Sequence, residues 1–286
     1  SIVELPLEVR NSPVVATDVG PLQVCDYNNS GDGLEFFDLT LINDAILNGQ
    51  DPLLYDFYYY EVEQDAIDAG NLATTIPDYS QAIGTPLAYQ NTTPFTQIIY
   101  VLVVGSTDNT TPNNGEIDCY AIVALELVVA PVPAAVQPQP YELCDDEIDG
   151  STLTDQKSTF DLTTRTFEIT GGDPDLSVIW YETSADELSN SPITTPEAYQ
   201  NRAIAPAPLN PQTIIARVTG PFGCKVTVTL TLVVNPNPTT LPPDPLVVCD
   251  DDNDGYANFM LHDADLGITG GDADLTITYH PTYLDA

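Results

Sequence analysis

Three short acidic loops hold the residues of this sequence whose types and spacing could do chemistry. In the clearest of them, 250–255, aspartates alternate with other residues and a glycine closes the loop. Side-chain oxygens at positions one, three and five, followed by a glycine that permits a sharp turn, suit a hard cation such as Ca²⁺. The pattern therefore predicts a structural Ca²⁺ site with the ligands Asp250, Asp252 and Asp254.

The same pattern occurs twice more, each time directly after a cysteine. The predicted ligands are Asp145, Glu147 and Asp149 in the second loop, and Asp26, Asn28 and Asp32 in a looser first loop with two extra residues. None of the loops has an acid at the twelfth position, which an EF-hand requires. The alternative is a turn in which Asx side chains cap the backbone without metal. Ligand count favours metal most in the third loop and least in the first.

The cysteines before these loops mark the start of a repeating unit. They are spaced by roughly a hundred residues, which is the size of an immunoglobulin-like β-sandwich. The phasing predicts the last strand of a preceding repeat over 1–11, complete repeats over 12–131 and 132–236, and an incomplete repeat over 237–286. Because each loop begins just after a linker, we expect it at the end of its domain that faces the preceding repeat.

Composition and pattern indicate an all-β protein. Methionine and tryptophan occur once each, whereas tyrosine occurs 15 times. Aromatic-rich segments such as 54–60 and 176–181 alternate in the manner of strands. The connectors 131–140 and 236–245 contain several prolines and no glycine, which makes them stiff spacers. We therefore expect tandem Ig-like β-sandwich repeats joined by short Pro-rich linkers.

Charge narrows the range of partners. Six Lys and Arg residues oppose 43 Asp and Glu residues, a formal net charge of −37. Nucleic acid and anionic membranes both require clustered positive charge, so neither is expected as a partner. No apolar stretch of about 18 residues is present that would insert into a membrane. Such a chain suits an extracellular protein that stays soluble by self-repulsion and recruits cations.

Five cysteines occur, two in each complete repeat and one in the incomplete repeat. Their matching places predict that the first and last strands of each repeat are joined, as Cys25–Cys119 and Cys144–Cys224. Cys249 would then have its partner beyond residue 286. Disulfides imply an oxidising compartment, and the alternative is a set of five buried free thiols.

Catalysis finds little support in the sequence. The chain has two histidines, both within 237–286, and it lacks the nucleophile-elbow, zinc-protease and phosphate-loop motifs. We therefore expect no enzymatic activity. The aromatic residues Tyr58, Tyr59 and Tyr60 could grip a sugar, although strand alternation places at least one of them in the core.

The recurring motifs together resemble a known class of repeat. In order they are Cys-Asp-x-(Asp/Asn)-x-Asp-Gly, Phe-Asp-Leu-Thr, Gly-Gly-Asp, Tyr-Gln-Asn, a second cysteine and a Val-Val-x-Pro-x-Pro linker. This order resembles the repeat arrays of very large surface proteins of gliding Bacteroidetes, which are exported by the type IX secretion system. Among these proteins, the SprB-type gliding adhesins are the ones whose function the resemblance suggests for this chain. The resemblance implies Ig-like modules, cell-surface display, and adhesion or gliding motility.

Two classes of function follow from these observations. The first is a structural stalk segment of a long adhesin or filament, stiffened by disulfides and Ca²⁺. Its expected partners are neighbouring repeats of the same chain. Other surface proteins or polysaccharide are further candidate partners. The second is a binding module in which the repeats themselves contact carbohydrate or another surface. An exposed aromatic platform beside Tyr58–Tyr60 would favour binding, and featureless faces would favour the stalk.

Overall fold

The chain folds as tandem β-sandwich repeats, as the sequence predicts. The computed structural model describes residues 12–72, 78–105, 119–282 and 284, apart from the side chains of Leu72 and Asp149. The strand predicted over 1–11 lies outside the described residues. None of the described helices is long and apolar enough to span a membrane.

Six strands are present among the described residues of the first repeat. They are β1 (Leu22–Cys25), β2 (Phe36–Phe37), β3 (Tyr55–Tyr60), β4 (Tyr89–Gln90), β5 (Thr96–Gly105) and β6 (Tyr120–Ala130). A four-stranded sheet has the order β1-β6-β5-β3, and β2 and β4 form a two-stranded ribbon. β1 runs parallel to β6, whereas the other pairs are antiparallel. The parallel register sets Cys25 opposite Ala130, the last residue of β6.

The second repeat has the same topology. Its strands are β7 (Tyr141–Cys144), β8 (Thr159–Phe160), β9 (Ser177–Tyr181), β10 (Tyr199–Gln200), β11 (Gln212–Thr219) and β12 (Lys225–Asn235). The sheet order is β7-β12-β11-β9, and β8 pairs with β10. β7 is again parallel to β12, which sets Cys144 opposite Asn235. Recurrence of the motifs therefore corresponds to recurrence of the whole strand order.

Short helices interrupt the strands, although the sequence pattern predicts none. The described helices are α1 (Asn43–Leu47), α2 (Glu63–Leu72), α3 (Thr166–Thr170), α4 (Ser184–Leu188) and α5 (Asp265–Thr269). A 3-10 turn precedes each of α1 and α3, and the aspartate of the Phe-Asp-Leu-Thr motif caps it by accepting from the amide of its second residue. The longest described helix, α2, has 10 residues, which is under three turns.

The first repeat buries apolar side chains on both faces of its large sheet. On one face, Phe37 and Leu125 belong to the main core and are at most 1% exposed. On the other face, Leu102 packs under helix α2. Strand alternation divides β3 between them, since Tyr59 lies in the main core and Tyr60 lies under α2. Each large side chain buried in this way contributes about 1.5–3 kcal/mol to folding.

The second repeat has a comparable core, whereas segment 237–282 does not. Phe160 and Leu162 are fully buried in the second repeat. Their counterparts by motif, Phe259 and Leu261, are 48% and 46% exposed. No strand is present among the described residues of 237–286, so these side chains do not enter a core built by a sheet of their own segment.

The chain divides into two compact units. The first contains the described part of 1–136 together with Ile169–Val178 and Arg217–Val228. The second contains 137–168, 179–216 and the described part of 229–286. The segment around Cys224 therefore belongs to the same unit as the first repeat.

Candidate functional site

A disulfide within the first unit joins one repeat to the next. Cys25, at the end of β1, is bonded to Cys224, directly before β12, with 5.7 Å between the Cα atoms. The predicted pairs Cys25–Cys119 and Cys144–Cys224 are therefore both wrong. The cysteines do occupy matching positions in the two repeats, but the bond joins one repeat to the other and does not lie within either.

The parallel register of the first and last strands explains the error. Cys25 lies opposite Ala130 at the end of β6, whereas Cys119 precedes Tyr120 at its start. An eleven-residue strand is about 35 Å long, far beyond the ~7 Å that a disulfide allows between Cα atoms. Strand β12 separates Cys144 from Cys224 in the same way, because Cys144 lies opposite its last residue. A disulfide within either repeat is thus geometrically impossible.

Polar contacts surround the disulfide. Gln23 donates from Nε2 to the carbonyl of Phe222 over 3.0 Å. The Tyr27 hydroxyl donates to the carbonyl of Lys225 and accepts from its amide, both over 3.0 Å. Tyr27 is the second residue of the first acidic loop. This loop therefore contacts the following repeat, whereas the sequence predicts that it faces the preceding one.

The other cysteines occupy matching places. Cys144 ends β7 as Cys25 ends β1, and it is an exposed free thiol. Cys249 is also an exposed free thiol, directly before the third acidic loop. Cys119 is partly exposed. The first cysteine of the second repeat is therefore accessible at the position from which Cys25 reaches its neighbour.

The first acidic loop is anchored by a buried carboxylate. Asp26 is 1% exposed, and its Oδ2 accepts hydrogen bonds from the amides of Gly31 (2.7 Å) and Gly33 (3.3 Å). Gly33 has a φ of +69°, and a Cβ there would lie 2.7 Å from the Phe95 amide nitrogen. Only glycine therefore fits this closure of the loop. Glu35 is also buried and accepts from the amide of Asn28.

The geometry changes the alignment of the first loop. The amide of Gly31 binds Asp26 as the amide of Gly255 binds Asp250 (2.8 Å), at the same spacing. Ser30, and not Asp32, thus occupies the fifth position. The carboxylate of Asp32 instead accepts from the amide of Leu34 and the side chain of Asn29, both over 2.8 Å, and the side chain of Asn28 is exposed.

The second loop has an equivalent buried anchor, Asp145, and a second acid, Asp146, that accepts several hydrogen bonds. Asp145 is 4% exposed, and its Oδ2 accepts from the amide of Gln156 over 2.9 Å. Burial by itself would raise the pKa of Asp146, but hydrogen bonds from Ser158 and the nearby backbone amides outweigh it and lower that pKa. Glu147 is exposed. The side chain of Asp149 lies outside the described residues.

The third loop gathers its three predicted ligands. Carboxylate oxygens of Asp250, Asp252 and Asp254 lie within 4.8 Å of one another, and all three residues are exposed. In the described part of the chain, this is the only group of three or more acids, cysteines or histidines so placed. A backbone hydrogen bond from Gly255 is the main cause that lowers the pKa of Asp250. The arrangement suits a cation, but it also suits an Asx turn.

A buried asparagine holds each of the first two loops against the ribbon. Asn91 accepts from the amide of Glu35 (2.7 Å) and donates to the carbonyl of Gly33 (2.8 Å). Asn201 binds the amide of Ser158 (2.8 Å) and the carbonyl of Gln156 (2.9 Å) in the same way. The recurring Tyr-Gln-Asn motif marks these residues in the sequence without indicating a role for them. The recurrence of an asparagine at the end of a strand was the available signal.

The tyrosines of β3 do not form an exposed platform. Tyr59 is 2% exposed, Tyr60 is fully buried, and Tyr58 stacks on Tyr79 with ring centroids 3.7 Å apart. The exposed aromatic platform that would favour a binding module is therefore absent from this strand.

One family model matches the chain three times. It describes the Flavobacterium inter-domain disulphide bond domain and matches residues 21–133, 140–238 and 245–286. This chain belongs to that family. The Cys25–Cys224 bond between two of its inter-domain disulphide repeats is the feature that the family's name describes. Such bonds indicate an extracellular protein, since they persist in oxidising environments.

The other comparisons add little to the family assignment. A search of the curated proteins found no match. Among solved structures, the human desmocollin-1 ectodomain is 11% identical, with 69% of this chain and 37% of that chain covered and a TM-score of 0.17. So low a score says nothing about the function of the inter-domain disulphide repeats.

Proposed function

We propose that the chain is a force-transmitting stalk segment of a long secreted adhesin or filament on the cell surface, without catalytic activity. The observation that supports this most directly is the disulfide from the first strand of one repeat to the residue directly before the last strand of the next. The resemblance to type IX-secreted gliding adhesins supports surface adhesion or gliding motility as its context. Neighbouring repeats are the principal partners, and Ca²⁺ at the acidic loops adds stiffness.

The disulfide makes a covalent shortcut along the chain. Tension that enters before Cys25 passes through the bond to Cys224 and leaves along β12, so it bypasses the sequence between them. The bond encloses the described strands β2–β11 and most of both cores. These sandwiches would therefore not unravel under load, because the chain that would be drawn out lies inside a closed loop.

The repeated polar motifs support a structural role as well. Tyr89 and Tyr199 each accept a hydrogen bond from a glutamine, Gln97 or Gln212, on the next strand along the chain. Asn91 likewise uses its side chain inside its own repeat. A carbohydrate-binding module would need such groups, or the tyrosines of β3, to face solvent.

Single-molecule stretching of the whole chain from its two ends tests the proposal. Under oxidising conditions we expect no extension from the sequence between the two cysteines. Reduction should release it, and 199 residues correspond to about 700 Å of extended chain.

The Cys224→Ser variant should behave as reduced protein under all conditions, and Cys249→Ser, which removes an exposed free thiol, should behave as the oxidised chain. Equal extension of the oxidised and reduced chains would show that the bond bears no load and would overturn the proposed role.

A further inference from the structure

One carboxylate oxygen of the first acidic loop is buried without a hydrogen-bond partner. Asp26 Oδ2 is held by the amides of Gly31 and Gly33, whereas Asp26 Oδ1 has no partner among the described residues. Because both oxygens belong to one carboxylate, Oδ1 lies beside the oxygen that the loop amides hold. A carboxylate oxygen in such a place is costly unless a hydrogen bond or a cation satisfies it.

Charge makes the need for a cation greater. Glu35 is a second buried carboxylate in the same loop, bound through the amide of Asn28. The first repeat, 12–131, contains no lysine, arginine or histidine. None of the ion pairs found among the described residues includes Asp26 or Glu35. The two negative charges are therefore not compensated by a basic side chain of their own repeat.

The second repeat has an equivalent carboxylate oxygen without a described hydrogen-bond partner. Asp145 Oδ1 is buried without a described partner, while Oδ2 binds the amide of Gln156 as Asp26 Oδ2 binds that of Gly33. The two loops differ in length and sequence, so the shared arrangement points to a common ligand. Repeat 2 differs in having Lys157, whose ammonium pairs with Asp155 over 3.3 Å.

We propose that the first acidic loop binds a divalent cation of the Ca²⁺ class through Asp26 Oδ1, with Asn28 and Ser30 supplying oxygens from positions three and five. The site lies beside the joint between repeats, because the intervening residue Tyr27 holds both backbone groups of Lys225. The bound ion thus orders Tyr27, the loop residue that is hydrogen-bonded to the next repeat. The proposed site gives a location to the Ca²⁺ of the proposed function, and it rests only on the Ca²⁺ part of that proposed function.

The expected order of cation affinity among the three loops is then the reverse of the order given by ligand count. The first loop has two buried carboxylates and one oxygen without a described partner, whereas the third has three exposed carboxylates. Burial excludes competing water and places the ion where electrostatic attraction is strongest. We therefore expect the first loop to bind most tightly and the third most weakly.

Calorimetric titration of the oxidised chain with CaCl₂ tests the site. To silence the third loop, the titrations use a background with Asp250→Asn, Asp252→Asn and Asp254→Asn. In that background Asp26→Asn should weaken the tightest site at least tenfold or abolish it. The matched control Asp32→Asn changes an acid of the same loop whose oxygens are already bonded, and it should stay within about threefold. Equal affinity of the Asp26→Asn chain and its background would overturn the proposal.

Lys225→Gln tests whether the ammonium of the next repeat neutralises the loop instead. The proposal predicts unchanged binding or a gain of a few fold. A gain above tenfold would identify Lys225 as the resident counter-charge and would overturn the proposal.

Hydrogen exchange on the unmutated chain avoids any folding defect of the variants. Calcium should slow exchange at Gly31 and Gly33 and at the Lys225 amide, relative to a chelator. Unchanged exchange at all three amides would contradict the site. The stretching experiment on the oxidised chain is independent of calcium, so it can succeed where this one fails.

Discussion

Cys25 lies opposite Ala130 in the parallel pair of strands that closes the first repeat. This register directs the cysteine away from its own repeat and toward Cys224 of the next. The equivalent pair in the second repeat, Cys144 opposite Asn235, has the same geometry and leaves an exposed thiol. A rule follows in which the first cysteine of a repeat bonds to the second cysteine of the repeat after it.

A chain with a duplicated second repeat checks this rule. When 237–286 is replaced by another copy of 132–236, Cys144 of the first copy should bond to the counterpart of Cys224 in the added copy. Peptide mapping of an unreduced digest would identify the linked peptides, and the Cys25–Cys224 peptide serves as the internal control. Alkylation of Cys144 in the folded, oxidised chain would contradict the rule.

Removal of the asparagine that fastens the first loop should destabilise the repeat strongly. Asn91→Ala removes hydrogen bonds to the backbone of Glu35, Gly33 and Thr93, each 2.7 or 2.8 Å long. At about 1 kcal/mol for each bond, the free energy of unfolding should fall by about 2–4 kcal/mol. Denaturant titration measures the loss. Asn29→Ala is the control, since Asn29 is exposed and should cost less than about 0.5 kcal/mol; equal losses would show that the clamp is unimportant.

Two neighbouring tyrosines of β3 should respond in opposite ways to loss of the hydroxyl. Tyr59 donates to Asn43 Oδ1 over 2.6 Å, so Tyr59→Phe should cost about 1 kcal/mol. The Tyr60 hydroxyl is buried with no partner among the described residues, so Tyr60→Phe should be neutral or stabilise by up to about 1 kcal/mol. Chemical denaturation of the two variants in parallel compares them. A larger loss for Tyr60→Phe would reverse the expected order.

Alkaline pH should destabilise the fold through the same buried tyrosines. Burial is the main cause that raises the pKa of Tyr59, Tyr60 and Tyr199 from about 10 to about 12. Between these values the unfolded chain loses phenolic protons that the folded chain keeps. The stability is therefore complete below pH 10 and falls as the pH rises toward 12.

Urea titrations at several pH values across this window, with free thiols alkylated, would measure the slope. Tyr60→Phe should make the decline shallower, because one raised pKa is removed. Identical slopes for the wild-type and Tyr60→Phe chains would contradict the assignment.

The sequence by itself determined the features that depend on nearby residues. Motif recurrence predicted the repeated strand order, alternation predicted strands such as β3 and β9, and Asp-rich spacing located the loops. The short helices α1 and α3 escaped prediction because each has only 5 residues, too few for a helical period to emerge.

Only the tertiary structure decided which residues meet across long separations. The disulfide partner depended on the parallel register of β1 on β6, which sends the two cysteines of a repeat to opposite ends of one strand. The attachment of the first acidic loop depended on Asn91, 56 positions beyond Glu35, because the asparagine accepts from the Glu35 amide. Strand pairing and burial are properties of the assembled sheet, so spacing along the chain cannot specify them.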